Sequence, residues 1–266
     1  MSRMEFCSRP LRAGRGLNVL AVILLLLALD GAGAQKKVPS RASGSAQAKE
    51  ILAHVIAAMG GRSLTAMNDI TQSITEISFL PQGTLKYEME IAYGCPNRIL
   101  LKTRMDFGDV TSGYDGETGW TENRMGVQPM NEGQLADMRM SLASNLYHLL
   151  QNLGGSEYSL AYLGQDRVGD KAVKVVRAFH RPTKTSIMLS IDARSSVVLK
   201  KAWQRRGTSS LEDVTDVYAD YREVKGVKVP FKTTSYAGGE KIAEMLIHSV
   251  KINSGLSTKF FAKPSR

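Results

Sequence analysis

Two cysteines in 266 residues are too few to staple a fold, and only Cys95 lies beyond the N-terminal region that holds Cys7. A lone thiol closes no disulfide within the chain, so core burial must supply the stability. Histidine is nearly as scarce: His54, His148, His180 and His248 are scattered, with no pair at metal-ligand spacing. Nucleophile-elbow, metalloprotease, phosphate-loop and dinucleotide-binding motifs are all missing. Asp115, Glu117, Asp166 and Asp170 fall at turns, where such side chains serve local hydrogen bonding and solvation. These gaps argue against an enzyme, a catalytic or structural metal, and a cofactor. Cys95, followed by Pro96 and far in sequence from any histidine, reads as a buried residue at a strand end and not as a nucleophile.

Aromatic residues make up 7% of the chain, and the net charge of +10 is not gathered into a stripe. The densest basic group, Lys200, Lys201, Arg205 and Arg206, brackets apolar residues and reads as a solvated strand face. Without a basic stripe carrying aromatic platforms, a nucleic-acid partner is not expected. Summed positive charge still draws a protein toward an anionic membrane surface.

Long apolar runs are confined to one place. Arg3, Arg9, Arg12 and Arg15 precede an apolar stretch from Leu17 to Leu29, and Ala32-Gly33-Ala34 supplies small residues before Gln35. This pattern predicts a secretory signal over 1–34, cut after Ala34. The stretch spans only about 20 Å of a hydrocarbon core about 30 Å thick, which argues against a retained anchor. Removing four basic and two acidic residues lowers the net charge from +10 to +8. The expected location is the periplasm, with a membrane-associated form left open.

Residues 35–44, polar and rich in small side chains, read as a flexible leader, and 45–266 as one domain. Ser45 is the expected cap of a helix whose Ile51, Leu52, Val55, Ile56 and Met59 share a face, stopped by Gly60-Gly61. From Asp69 the period changes to two. Leu85, Tyr87, Met89, Ile91 and Tyr93 alternate with Lys86, Glu88, Glu90 and Ala92. Turn signals at Pro81-Gln82-Gly83, Asp115-Gly116, Gly169-Asp170, Lys225-Gly226 and Gly238-Gly239 separate about eleven strands. Between the fourth and fifth of them, Leu135, Met138, Leu142, Leu146, Leu149, Leu150 and Leu153 recur at helical spacing, with Asn131 as cap and Gly154-Gly155 as stop. The fold class is α+β, mainly antiparallel β: one meandering sheet with a helix before it and one long helix inserted. A long twisted sheet curls, and its concave apolar face must be covered by helices, a partner or a ligand.

Four stretches carry a family resemblance: Ile56-Ala57-Ala58-Met59-Gly60-Gly61; Tyr114-Asp115-Gly116-Glu117-Thr118-Gly119-Trp120; Asp220 to Lys232; and Val250-Lys251-Ile252-Asn253 with Phe260-Phe261 and Pro264. In order and spacing, over roughly residues 46 to 264, the chain resembles bacterial outer-membrane lipoprotein-sorting proteins of the LolA, LolB and RseB-like superfamily. The resemblance implies a half-open, incomplete β-barrel of about eleven strands, covered by helices over an apolar cavity. It also implies a monomeric, non-enzymatic carrier of lipid or lipoprotein acyl chains, served by a membrane-bound donor or acceptor protein. The alternative is a sensor or interaction module of the same fold that binds a protein partner.

The two-residue period places Tyr87, Met89, Ile91, Ile99, Leu101, Ile187 and Leu189 on the dry face of the sheet, with Trp120 at the cavity rim and Met138 and Leu142 lining it from the inserted helix. Burying a sixteen-carbon chain at about 0.8 kcal/mol per methylene yields on the order of 12 kcal/mol before ordering costs. The inserted helix, flanked by Gly126 to Gly133 and by Gly154-Gly155, reads either as a lid or as a permanent plug.

Overall fold

The computed structural model describes residues 41–264, except Phe107 and residues 207–210. The expected signal segment and its cut site lie outside these residues. Helix α1 (Arg41–Met59) and the short α2 (Arg62–Thr65) lead into β1 (Asp69–Leu80), β2 (Gly83–Gly94), β3 (Arg98–Arg104), β4 (Val110–Tyr114), β5 (Gly119–Asn123) and β6 (Gly126–Pro129). Two helices follow, α3 (Glu132–Ser144) and α4 (Leu146–Asn152). The chain then returns to strands with β7 (Tyr158–Val168), β8 (Lys171–His180), β9 (Thr185–Asp192), β10 (Val198–Arg206), β11 (Leu211–Val224), β12 (Val227–Ala237) and β13 (Glu240–Ile252). A 3₁₀ turn at Thr258–Phe260 comes after them.

All thirteen strands form one open antiparallel sheet in the order β6-β5-β4-β3-β2-β1-β13-β12-β11-β10-β9-β8-β7. Two hairpin meanders therefore meet at a seam where β1 pairs with β13, from Ile70 opposite Ile252 to Ser78 opposite Ala243. The outermost strands, β6 and β7, are joined through α3 and α4. The sheet is an incomplete barrel, and the helices cover its concave face.

Three details differ from the sequence expectation. The described residues form thirteen strands, because Gly119–Asn123 and Gly126–Pro129 pair as β5 and β6. At five and four residues they are too short to show an alternating pattern. Helix α1 already includes Arg41, within the expected leader, so Ser45 is inside the helix and does not cap it. The single inserted helix is two. The Asn145 side chain accepts from the backbone N–H groups of Tyr147 and His148 and starts α4, while its own N–H closes α3 on the Leu142 carbonyl. The apolar spacing runs through the break because both helices bury leucines. At the other end Asn131 and Gln134 form the reciprocal cap of α3, at the position expected for Asn131.

Burial divides into three clusters. The largest packs Ile51, Leu52, Val55 and Met59 of α1 with Leu149 and Leu150 of α4 against β8, β9 and β12. In the second, Met138 and Leu142 of α3 meet Ile74, Ile91, Ile99 and Tyr114. The third lies on the convex face, where Ala92, Leu100 and Trp120 are covered by Phe261. Directly opposite Trp120 is Gly113, where a Cβ would lie 2.5 Å from the indole. Among the described residues no helix is long and apolar enough to cross a membrane.

Candidate functional site

The helices do not cover the concave face completely. Between them a cavity of about 430 Å³ remains, lined by seven neighbouring strands, β3-β2-β1-β13-β12-β11-β10, and by the α3–α4 break. Strand register explains its composition. On β1 the alternate residues Gln72, Ile74 and Glu76 face inward; opposite them β2 presents Ile91, Met89 and Tyr87, and β13 presents Ile247 and Met245 after a bulge at Ser73/Ile74. Beyond β2, Ile99 and Leu101 of β3 complete an apolar wall.

The opposite wall is polar. Lys201 of β10 faces Asp216 of β11, which faces Ser235 of β12. The Lys201 ammonium lies 3.1 Å from Asp216 Oδ2 and donates to the Ser144 carbonyl at 2.7 Å, although the residue is only 5% exposed. Asp216, 8% exposed, also accepts from Trp203 Nε1 at 2.9 Å and from Ser235 Oγ at 2.7 Å. The Trp203 ring flanks the ammonium, 4.9 Å from its centroid. Such a pair tolerates burial because each ion is both neutralised and hydrogen-bonded. It also holds a helix end, since Ser144 is the last residue of α3 and its carbonyl lacks a partner within the helix. The neighbouring Ala143 carbonyl accepts from Tyr158 Oη of β7 at 3.0 Å.

A smaller polar group closes the β1–β2 side. Tyr87 Oη donates to Glu76 Oε1 at 2.7 Å, and Ser78 Oγ donates to the same oxygen at 3.2 Å. Burial, assisted by the Glu76 carboxylate, pushes the Tyr87 phenol up to about 12. At the helix break Tyr93 and Tyr147 line the cavity floor, and burial raises both phenols. The Tyr147 hydroxyl is buried with no hydrogen-bond partner among the described residues.

The residues named from sequence divide accordingly. Tyr87, Met89, Ile91, Ile99 and Leu101 are brought together around the cavity. Met138 and Leu142 pack beside it on the same wall without lining it. Ile187 and Leu189 belong instead to the core beneath the helices. They share the cavity's face of the sheet, since Leu189 is directly opposite the lining residue Lys201, but the helices seal that part of the sheet. Trp120 is not at the rim. Its register through Gly113, Leu100 and Ala92 places it on the convex face, where its Nε1 donates to the Phe261 carbonyl. The polar wall was missed. Lys201 and Asp216 carry no motif, and alternation around Lys201 suggested a wet strand face. A signal was available in Lys201 and Trp203, which share a face two residues apart.

Cys95 is half-buried between β2 and β3, and its thiol donates to Gln151 Oε1 at 2.8 Å. Burial raises its pKa, the reverse of what an activated nucleophile requires. Among the described residues no group of three or more His, Cys, Asp or Glu is placed to hold a metal ion.

Neither a family model nor a curated protein matches the chain. Solved structures do. A LolA superfamily protein from Nitrosomonas europaea superposes with a TM-score of 0.57 at 13% identity, covering 81% of this chain and 97% of that one. A DUF1329 family protein from Desulfovibrio piger gives 0.57 at 10% identity, with coverages of 81% and 97%. A domain assigned to outer-membrane lipoprotein sorting, from Vibrio parahaemolyticus, gives 0.56 at 13% identity, with coverages of 82% and 97%. The likeness is one of fold: the chain has a LolA-like architecture.

Proposed function

We propose that this protein is a periplasmic carrier that shields an acyl chain of a lipid or lipoprotein from water. One observation carries the reading: the cavity has a wall of Ile74, Met89, Ile91, Ile99, Leu101 and Met245 that the protein's own helices leave uncovered. Its volume is in the lower part of the range of about 300–1,000 Å³ typical of small-molecule sites, which suits one chain and not several. The LolA-like fold supports the reading, as does a signal-like N-terminal sequence, which fits a role between membranes. No step of bond-making is part of this function, and the absence of catalytic motifs fits it.

Native mass spectrometry of protein purified from a bacterial periplasm tests the proposal. A carrier retains apolar mass that organic extraction removes and that added acyl lipid restores. Protein that carries no such mass and takes none up is not a carrier. A second reading, a module that binds a protein partner, is favoured by the edge strands β6 and β7, which pair on one side only among the described residues and offer a template for strand addition. A partner that pairs with an edge strand and leaves the cavity empty would support it.

A further inference from the structure

We infer that Glu76 is a counter-ion site for the carried ligand, and that the cavity selects a single-chain amphiphile whose polar end bears an ammonium group. This inference rests on the carrier reading and specifies its ligand.

Glu76 lines the cavity from β1 and is 8% exposed, yet it has no cationic partner among the described residues. Tyr87 Oη and Ser78 Oγ both donate to Oε1, which orients the carboxylate and leaves Oε2 with no partner among those residues. Unlike the Tyr147 hydroxyl, Oε2 is not sealed away: it keeps accessible surface on a side chain that lines the cavity. Register explains why the neighbouring strands supply no cation. Glu76 faces Tyr87 on β2 and Met245 on β13, and Met245 faces Thr233 on β12. Lys86 and Lys232, one residue out of phase with Tyr87 and Thr233, belong to the convex face, where Lys232 pairs with Glu244. A buried carboxylate is costly when it lacks a counter-ion, and an acceptor serving only Tyr87 and Ser78 would need no charge.

The other charged side chains of the lining are already committed. Lys201 is engaged by Asp216 and the Ser144 carbonyl, and Arg205 by Glu212 at 2.8 Å in a half-exposed pair. Both cations belong to β10, and three strands separate β10 from β1. Once these pairs are set aside, Glu76 holds the one uncompensated charge among the described lining residues. An anionic polar end beside Oε2 is repelled, and an uncharged one leaves the carboxylate without a counter-ion. An ammonium group neutralises it and donates an N–H to the free oxygen, a charge-assisted bond. The chain of such a ligand lies along Ile74, Met89, Ile91 and Met245 of the same wall.

The test uses delipidated full-length protein at neutral pH and displacement of a fluorescent acyl probe by three competitors of equal chain length: dodecylamine, monolauroylglycerol and laurate. Dodecylamine, the cation, should compete about tenfold better than either of the others, the size of effect expected of a hydrogen bond to a charged group. Glu76→Gln keeps the shape and an acceptor for Tyr87 and Ser78 while removing the charge, and should bring the three competitors close to parity. Met245→Lys sets an ammonium opposite Glu76 without removing the carboxylate, and should erase the same preference. Glu90→Gln removes an equal charge from the convex face of β2, where Glu90 pairs with Lys102, and should leave the preference unchanged. Circular dichroism checks that each variant is folded. Equal competition by all three lipids, tighter binding of laurate or monolauroylglycerol, a preference unchanged in folded Glu76→Gln or Met245→Lys, or one lost equally in Glu90→Gln overturns the counter-ion assignment and leaves the carrier reading standing. Failure of the wild-type protein to bind the probe or any competitor overturns both.

Discussion

The indole Nε1 of Trp120 donates to the backbone carbonyl of Phe261 at 3.0 Å, fastening the segment after β13 across the convex face of β3–β5. Phe261 is fully buried in one cluster with Ala92, Leu100 and Trp120, against which Val127, Leu256 and Phe260 also pack. Phe261→Ala should therefore cost about 3–5 kcal/mol of stability, the usual range for deleting a buried aromatic ring. Urea unfolding would read the loss. Acyl-lipid retention per folded molecule should stay at the wild-type level, since this contact is on the face away from the cavity.

Gly226 turns the chain between β11 and β12 at φ 78, and its Cα faces Ser63 so closely that a Cβ would lie 2.6 Å from the serine hydroxyl. Gly60 at the end of α1 approaches the same turn, and a Cβ there would lie 2.7 Å from the Gly226 carbonyl. Gly226→Ala should destabilise by about 1–3 kcal/mol through the left-handed backbone alone, and by more if Ser63 cannot move. A thermal or urea unfolding curve checks it, and Ser63→Ala in the same chain should recover part of the loss.

Leu101 and Leu189 are the same residue type on the same face of the sheet, but only Leu101 lines the cavity. Leu101→Trp should fill that space and lower acyl-lipid retention about tenfold while the sheet still forms, with circular dichroism as the folding control. Leu189→Ala should do the opposite. It opens a hole in a sealed core at a cost of about 2–5 kcal/mol and should leave retention per folded molecule unchanged. Equal retention by the folded Leu101→Trp variant and the wild type would count against the cavity as the binding site.

Burial lowers the His148 imidazole from its ordinary 6.5 to about 4, assisted by repulsion from His180 and opposed by Glu157. Burial also lowers His180, again against Glu157. The unfolded chain therefore takes up protons that the folded chain resists, and stability should fall as pH drops from about 6.5 toward 4. Carboxylates held low in the fold, such as Glu244 beside Lys241 and Lys232, begin to lose their contribution only below their unfolded pKa, near 4. Urea midpoints between pH 7.5 and 4.5 thus report mainly the histidines, and His148→Gln should flatten the slope.

Much of the sheet was legible because alternation and turn residues are local. β2 (Gly83–Gly94) covers the alternation from Leu85 to Tyr93, and β8, β12 and β13 start directly after the expected turns at Gly169-Asp170, Lys225-Gly226 and Gly238-Gly239. The resemblance motifs prove to be neighbours in space: the Gly60-Gly61 end of α1 meets the Gly226 turn, and Trp120 meets Phe261. The cavity was only half legible. Period two assigns a face, so Met89, Ile91 and Leu101 were found, but it cannot say which part of that face a helix will seal, as Ile187 and Leu189 show. Trp120 was misplaced because the register of β5 depends on pairing with β4 through a short hairpin. The pairing of Lys201 with Asp216 was not legible for another reason: a buried ion pair joins two strands, and neither strand announces its partner.

The seam between β1 and β13 sets the order in which this molecule can assemble. Each meander forms through hairpins between consecutive strands, contacts of short sequence separation that close quickly. The Ile70–Ile252 pairing, by contrast, must bring together strands from opposite ends of the described chain, with a correspondingly larger entropic penalty. The apolar wall belongs to one side of that seam together with β13, and the Lys201–Asp216 wall to the other. Neither meander alone encloses the space between them. A chain emerging in sequence order holds two half-sheets with no binding site until β13 docks, so the capacity to take up an amphiphile appears only at the final stage of folding.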